Sequence, residues 1–405
     1  MTRRLARQLD EQDPLADYLD RFLPGDDSVR AYLDGNSLGR PPKATVAAIE
    51  DCLHKQWGTR LIRSWTEEWL ALPTVVGDEL GTTVLRAAPG QTVVADSTTV
   101  CLYKLLRAAC ALRPGRTEIV TDVHNFPTDR YVVEGIASEL GMTLRWLEPP
   151  IRGGITPELL APVLGAQTAV VTFSHVAYQS AAIADMAGIT ARVHDVGALV
   201  VWDLCHSAGA IPVDLDTARA DFAVGCTYKY LNGGPGAPAF LYVNHAVQER
   251  FHQPIQGWIG RADPFAMAQG YLPAPGVSRA LSGTPNVLGL IAVREGVRLV
   301  TEAGIERIRA KGIALTELAV RLTEQHLAPL GFTLGSPRRA EDRGNHITIC
   351  HPNGKALAEQ LTAAGILVDF REPDGIRFGC SPLTTRFSDL PVAVEALADL
   401  ASATG

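Results

Sequence analysis

Apolar residues along the chain follow three spacings in turn. Leu5, Leu9, Leu15, Leu19 and Phe22 are spaced as on one helical face, and Pro24-Gly25 ends that segment, which predicts one or two N-terminal helices. From about residue 90 to 245 the pattern becomes short apolar runs rich in β-branched residues. They fall at 117–123, Thr143–Leu147, 169–173, Leu199–Asp203, 222–227 and Phe240–Val243, and amphipathic stretches of helical length separate them. Runs with no polar alternation belong to strands buried on both faces, so this region reads as βαβ units building a mostly parallel sheet. Beyond the Gly/Pro-rich stretch 273–285 the pattern predicts a long helix from Val287 to about residue 325. Then come a strand at His346–Cys350, a helix at 355–364, strands near 366–370 and 376–378, and a closing helix from about Leu390. The expected architecture is α/β, a large domain with a mostly parallel sheet followed by a smaller α+β C-terminal domain. Its division is an N-terminal arm and substrate-site loop at 1–60, a large domain at 61–285 and a small domain at 286–405.

Composition narrows the classes. The 405 residues are 46% hydrophobic and 20% charged with a net charge of -7, the makeup of a globular chain rather than a disordered or fibrous one. The longest basic runs are Arg3-Arg4 and Arg338-Arg339, so nucleic-acid or acidic-membrane binding has no electrostatic footprint. Seven cysteines without a C-x-x-C pair read neither as a disulfide framework nor as a zinc site, and a reducing cytoplasm is the expected compartment. No signal peptide or membrane-spanning run of about 20 apolar residues is expected.

Chemistry concentrates at strand ends. The run Ala198-Leu199-Val200-Val201-Trp202 ends in Asp203, with His206 just beyond, and the next strand runs into Thr227-Tyr228-Lys229-Tyr230 and a glycine-rich turn. In an open parallel sheet the carboxyl ends of strands border the ligand crevice. Alone, Asp203 could cap the turn or helix that follows and Lys229 could be a solvated surface group. Together they supply what pyridoxal 5'-phosphate (PLP) needs, an amine for the Schiff base and an acid that keeps the pyridine nitrogen protonated. Asp96-Ser97-Thr98-Thr99, just before a helical segment, offers hydroxyls and backbone amides to a phosphate, although the same residues could form an ordinary helix cap. Gly35-Asn36-Ser37-Leu38-Gly39 fits the G-x-S-x-G nucleophile elbow of serine hydrolases, but Arg40-Pro41-Pro42 follows where that motif requires a helix. The histidines show no metal-ligand spacing, and no metal is expected. Cys380 beside a glycine suggests the persulfide chemistry of cysteine desulfurases, with nothing local to activate it.

Trp202-Asp203-Leu204-Cys205-His206-Ser207-Ala208-Gly209 and Thr227-Tyr228-Lys229-Tyr230-Leu231-Asn232-Gly233-Gly234-Pro235-Gly236 resemble the kynureninase family, within the fold-type I, class V aminotransferase-like group. Further matches are Tyr32-Leu33-Asp34-Gly35-Asn36-Ser37-Leu38-Gly39, Phe126-Pro127-Thr128-Asp129, Gln256-Gly257-Trp258-Ile259-Gly260, Gly283-Thr284-Pro285 and Arg377-Phe378-Gly379-Cys380-Ser381-Pro382, so the likeness spans almost the whole chain.

The resemblance implies PLP bound through Lys229, with Asp203 facing the ring nitrogen and Phe126 stacked on the ring. It puts Thr98, Thr99, Tyr228 and His206 on the phosphate side, with Pro127, Thr128, Asp129 and Ser174 also around the cofactor. Trp258 and Thr284 are implied to reach the cofactor from a neighbouring subunit, hence a homodimer with shared sites. Ser37, Trp65, Gly283, Thr284 and Arg377 are implied to hold the substrate, Arg377 by clamping its α-carboxylate. The implied reaction is hydrolysis of L-kynurenine to anthranilate and L-alanine, with Lys229 moving the α-proton and Tyr228 as candidate proton donor. Trp65 and Gly283-Thr284 resemble bacterial enzymes that prefer L-kynurenine over its 3-hydroxy derivative. The chain departs from the pattern at Ala177, where relatives have asparagine, and at Thr384, where they have tyrosine. The alternatives are a class V relative such as a cysteine desulfurase or selenocysteine lyase, and a non-catalytic regulator on the same fold.

Overall fold

The computed structural model describes residues 2–404. After a helix at Thr2–Glu11, the short strand β1 (Ala31–Tyr32) leads the chain toward the large sheet. That sheet consists of β2 (Thr92–Val94), β3 (Glu118–Asp122), β4 (Thr143–Leu147), β5 (Thr168–Ser174), β6 (Leu199–Asp203), β7 (Phe222–Gly225) and β8 (Phe240–Val243). Its order is β2-β8-β7-β6-β5-β3-β4, with β7 through β4 parallel and β8 antiparallel to both of its neighbours. The apolar runs become strands because both faces are covered. Every residue of β6, β7 and β8 is buried, and one core cluster lies on each face of the sheet's centre, around Val200 and Trp202 on one side and Leu199 and Val201 on the other. Each fully buried Val, Leu or Phe there contributes about 1.5–3 kcal/mol. A polar residue at Val201 would forfeit that and strand an unpaired group.

The C-terminal part holds a four-stranded antiparallel sheet ordered β12-β13-β10-β9, from β9 (Thr333–Leu334), β10 (His346–Cys350), β12 (Asp369–Arg371) and β13 (Gly375–Gly379). The strand expected near 366–370 is two: β11 (Ile366–Leu367) pairs in parallel with β1, and β12 pairs with β13. Ala6, Ala31 and Leu33 of the N-terminal segment therefore sit in the same core as Ile347, Ile376 and Phe378.

The long helix expected from Val287 is also two, Val287–Ala303 and Ile305–Leu322, because Gly304 lies between them at φ +79°. Only glycine adopts that conformation without strain, and it ends the first helix. Among the described residues no helix is long and apolar enough to cross a membrane.

Candidate active site

The parallel strands deliver their carboxyl ends to one cavity of about 240 Å³, lined by Ser97, Thr98, Thr99, Phe126, Thr128, Asp129, Ser174, Asp203, His206, Tyr228 and Lys229 among others. β5 and β6 end in register, so Ser174 lies beside Asp203. The Ser174 hydroxyl is within hydrogen-bond distance of Asp203 Oδ2 (3.2 Å) and of Asn125 Oδ1 (2.8 Å), while the Cys205 N–H donates to Asp203 Oδ1 (2.7 Å). The aspartate is thus fixed by hydrogen bonds and is 5% exposed. Its contact with the Cys205 N–H caps the turn that follows β6, while its Oδ2 faces Ser174 at the cavity.

Lys229 is 8% exposed, and its Nζ lies 3.3 Å from His206 Nε2 and 5.9 Å from the Phe126 ring centroid. Burial, then the charge on Lys229, holds His206 well below the usual histidine range, so it is neutral and can accept from the amine. His206 was expected on the phosphate side; its contact here is with the lysine amine. Behind it, the ring of His346 on β10 lies 5.7 Å away, also fully buried and pushed down to about 3 by burial.

Asp129 lies in the first turn of the helix Pro127–Leu140, which Pro127 opens at a position where its missing N–H costs nothing. Burial, then the neighbouring Asp203 carboxylate, raises the Asp129 carboxyl well above its usual range, and its Oδ2 is buried without a partner. At the far side of the cavity the helix Thr98–Ala111 begins, with Ser97 capping the Val100 N–H (3.4 Å). Asp96, which also lines the cavity, is ion-paired with the fully buried Lys104 (2.5 Å), a contact no local pattern announces and one that offsets its charge beside an incoming anion.

Arg377 is 1% exposed and already engaged. It pairs with Asp369 through two contacts (Nε to Oδ1 2.6 Å, and NH2 to Oδ2), donates from NH1 to the Tyr178 carbonyl (2.7 Å) and from NH2 to Ser37 Oγ (3.2 Å). Burial alone would raise Asp369, but Arg377 and then Arg371 hold it below its usual range. Asp34, beside this cluster, is pushed up to about 6 by burial and by Asp369.

The G-x-S-x-G look-alike has another purpose. A Cβ at Gly39 would stand 2.3 Å from the Lys229 carbonyl oxygen and one at Gly35 would stand 2.7 Å from Ser381 Cβ. The glycines let this segment wedge between the lysine loop and the loop after β13, and Ser37 faces Arg377 and Asp369 rather than a histidine.

Seven expected site residues are not part of that lining: Pro127, Ser37, Arg377, Trp65, Trp258, Gly283 and Thr284. Trp65 lines a separate apolar cleft with Trp57, Leu61 and Ile62. Gly283 and Thr284 line a neighbouring cavity that shares only Asp96 and Ser97 with the lysine site, and Trp258 is 44% exposed. Of the two departures, Ala177 borders a small void with Ser174 and Tyr178, and Thr384 faces a cleft beside Tyr32 and Leu38.

The lysine, the fixed aspartate, the orphaned Asp129 oxygen and a helix N-terminus at the opposite wall fit PLP's aldehyde, ring and phosphate. The architecture is that of the PLP-dependent enzymes of fold type I. It superposes on a cysteine desulfurase from Thermococcus onnurineus NA1 with a TM-score of 0.82 at 20% identity, covering 95% of this chain and 98% of that one. A lysine variant of the enzyme C-DES, with glycine covalently linked to its PLP cofactor, gives 0.82 at 20% identity over 94% and 98%.

Sequence resolves the group further. The chain is 41% identical to kynureninase of Pseudomonas fluorescens over 98% of its own length and 95% of that protein's, and 42% identical over the same shares to kynureninase of Burkholderia pseudomallei. Residues 308–397 match the kynureninase C-terminal domain. The chain belongs to the kynureninase family. Cys380, the thiol that suggested persulfide chemistry, is fully buried and burial pushes it up to about 12, which suits neither attack nor exchange.

Proposed function

We propose that the protein hydrolyses L-kynurenine to anthranilate and L-alanine with PLP held at Lys229. The observation that carries this reading is the buried pair of strand-end groups, Lys229 and Asp203, in one cavity of a chain 41% identical to a kynureninase. Lys229 is the covalent anchor, Asp203 the partner of the ring nitrogen, and Phe126 the ring's stacking face. Thr98, Thr99 and the amides of their helix N-terminus take the phosphate, with Pro127, Thr128, Asp129 and Ser174 completing the surround.

When bound, PLP supplies a conjugated electron sink that stabilises negative charge developed on the substrate carbons beside the amino group. Lys229, released when the substrate amine takes its place, carries the α-proton. Neutral His206 beside it accepts a hydrogen bond and adds no competing positive charge. Burial, then Cys226, raises the Tyr228 hydroxyl above its usual range, so it stays protonated at neutral pH and can deliver a proton to the β-carbon as the bond to the γ-carbonyl carbon breaks. The water that adds to that carbonyl leaves within the anthranilate carboxylate. Arg377 and Ser37 bind the α-carboxylate, and Arg371, already 2.8 Å from Asp369, takes over that aspartate as Arg377 turns to the substrate.

Trp258 and Thr284 reach the cofactor of a partner copy's site in a homodimer, and Trp65, Gly283 and Thr284 face the aryl ring of the substrate. Exposed Ile62 (76%), Met267 (73%) and Leu272 (63%) near those residues support such an interface. The working division is the arm at 1–60, the cofactor domain at 61–285 and the small domain at 286–405, with the helix Val287–Ala303 packed on the large core. Seven free cysteines support a reducing, cytoplasmic setting.

Incubating the purified protein with L-kynurenine and PLP tests the function directly. Anthranilate fluorescence should rise in step with L-alanine. Sulfide release from L-cysteine with no anthranilate would instead favour the desulfurase reading.

A further inference from the structure

The strand ends that carry Asp203 and Lys229 also carry two cysteines the reaction does not use. Cys205 is two residues past Asp203 and Cys226 is two past Val224, which are register partners on the parallel strands β6 and β7. The pairing continues beyond the strands, since Leu204 N–H donates to the Val224 carbonyl (2.8 Å) and Cys226 N–H to Cys205 Sγ (3.2 Å). Cys226 Sγ lies 3.8 Å from the Cys205 carbonyl oxygen, so each sulfur lies against the other residue's backbone. Neighbouring strands run about 4.8 Å apart, within the roughly 4.4–6.8 Å between α-carbons that a disulfide accepts, so the bond can form with little backbone movement.

Access separates the two. Cys205 lines the lysine cavity, and of the seven cysteines it alone is not buried. Cys226 sits behind it at 3% exposure. Whatever fills the cavity covers Cys205.

We propose that Cys205 and Cys226 are a modification site, a thiol pair that a peroxide closes to a disulfide when the cavity is free of cofactor and that bound PLP shields. The shielding rests on the PLP reading above; the disulfide does not. Cys205 sulfur attacks one peroxide oxygen, the O–O bond breaks, and the departing hydroxide takes the thiol proton and leaves as water. Cys226 sulfur then attacks the resulting sulfenic acid at Cys205, the S–O bond breaks, and the hydroxyl leaves with the second thiol proton as another water. The two sulfurs lose two electrons and the peroxide gains them. The order of attack follows access rather than acidity: the pairing with Cys226, then burial, raises the Cys205 thiol well above its usual range, but it is the one that lines the cavity. For Cys226 burial alone would raise the thiol, and the pairing with Cys205 and the charge on Lys229 bring it below its usual range.

The test treats full-length protein, stripped of PLP or saturated with it, with hydrogen peroxide, then blocks free thiols and maps peptides without reduction. Stripped protein should yield a peptide linking Cys205 to Cys226 that dithiothreitol separates, and Cys205→Ser and Cys226→Ser should each abolish it. Saturated protein, its loading verified by its yellow colour, should form the link at least roughly tenfold more slowly, as expected when access controls thiol reactivity. Finding both thiols still alkylatable in oxidised stripped protein, or Cys205 carried to the sulfonic acid with no link, overturns the proposal. An equal rate in yellow protein overturns the shielding. Protein that never turns yellow contradicts the PLP reading, while the stripped arm still decides whether the pair closes.

Discussion

The floor of the site and its aryl side are built on different principles. The floor, with Asp203, Ser174, His206 and Lys229, hangs from the ends of adjacent parallel strands, is buried, and is complete within one chain. The proposed aryl side, with Trp65 at the start of a short π-helical turn, Trp258 at the start of a 3-10 turn, and Gly283 and Thr284 in a loop, lies along separate clefts and exposes large apolar side chains. Groups that must hold a reactive amine and an acid to within a few tenths of an ångström sit on rigid elements. In the proposed dimer, the groups that would select the substrate sit where a second copy could finish the pocket.

Removing Lys229 should break the floor altogether. Lys229→Ala should lower turnover by at least roughly 10³-fold, since it deletes both the anchor and the proton carrier; near-normal kcat in steady-state assays would refute its role. Asp203→Asn should fold normally by circular dichroism yet lose on the order of 10²-fold in kcat, because an amide cannot keep the ring nitrogen protonated. Wild-type rates would reduce Asp203 to a structural hydrogen bonder. The aryl side answers to a different experiment, in which inactive Lys229→Ala protomers are mixed with inactive Trp258→Ala protomers and allowed to exchange. Shared sites should restore roughly a quarter of wild-type activity, because half the dimers are mixed and each holds one intact site. No recovery despite proven exchange would make each site self-contained.

Substrate choice should sharpen the contrast more gently. An apolar aryl pocket rejects an added hydroxyl weakly, so kcat/KM should favour L-kynurenine over 3-hydroxykynurenine by about 10- to 100-fold. A higher value for the hydroxylated substrate would show that Trp65, Gly283 and Thr284 do not set the preference.

The smallest effect concerns Asp122, at the end of β3 under the floor, whose carboxyl burial pushes up to about 6. A raised carboxyl stabilises the fold fully below the unfolded value of about 3.9, and that stability is lost as pH rises through 6. Asp122→Asn should therefore gain on the order of 1 kcal/mol at pH 8 and nothing at pH 4, read from denaturant midpoints at the two pH values. An equal gain at both would mean burial of the charge is not the cause.

The floor was legible in the sequence because the physics that forms it is local. Uninterrupted apolar runs such as Leu199–Asp203 can only be strands covered on both sides, and the first polar residue after them marks the crevice. What escaped was long-range or conformational. Gly304 looks like any tolerated helix glycine until its positive φ splits the helix. Asp369, eight positions before Arg377, gives no sign that it holds the guanidinium. His346 behind His206, and Lys104 under Asp96, are partners that only the packed fold brings together. The resemblance supplied Trp258 and Thr284, which a single folded chain leaves apart from the lysine.

The central claim is that Lys229 carries the cofactor, and covalent trapping tests it most directly. Protein loaded with PLP should be reduced with borohydride, digested and mapped by mass spectrometry. A pyridoxyl phosphate group on Lys229, lost when L-kynurenine is added before reduction, is the predicted result. A label on another lysine, or none on yellow protein, would contradict it.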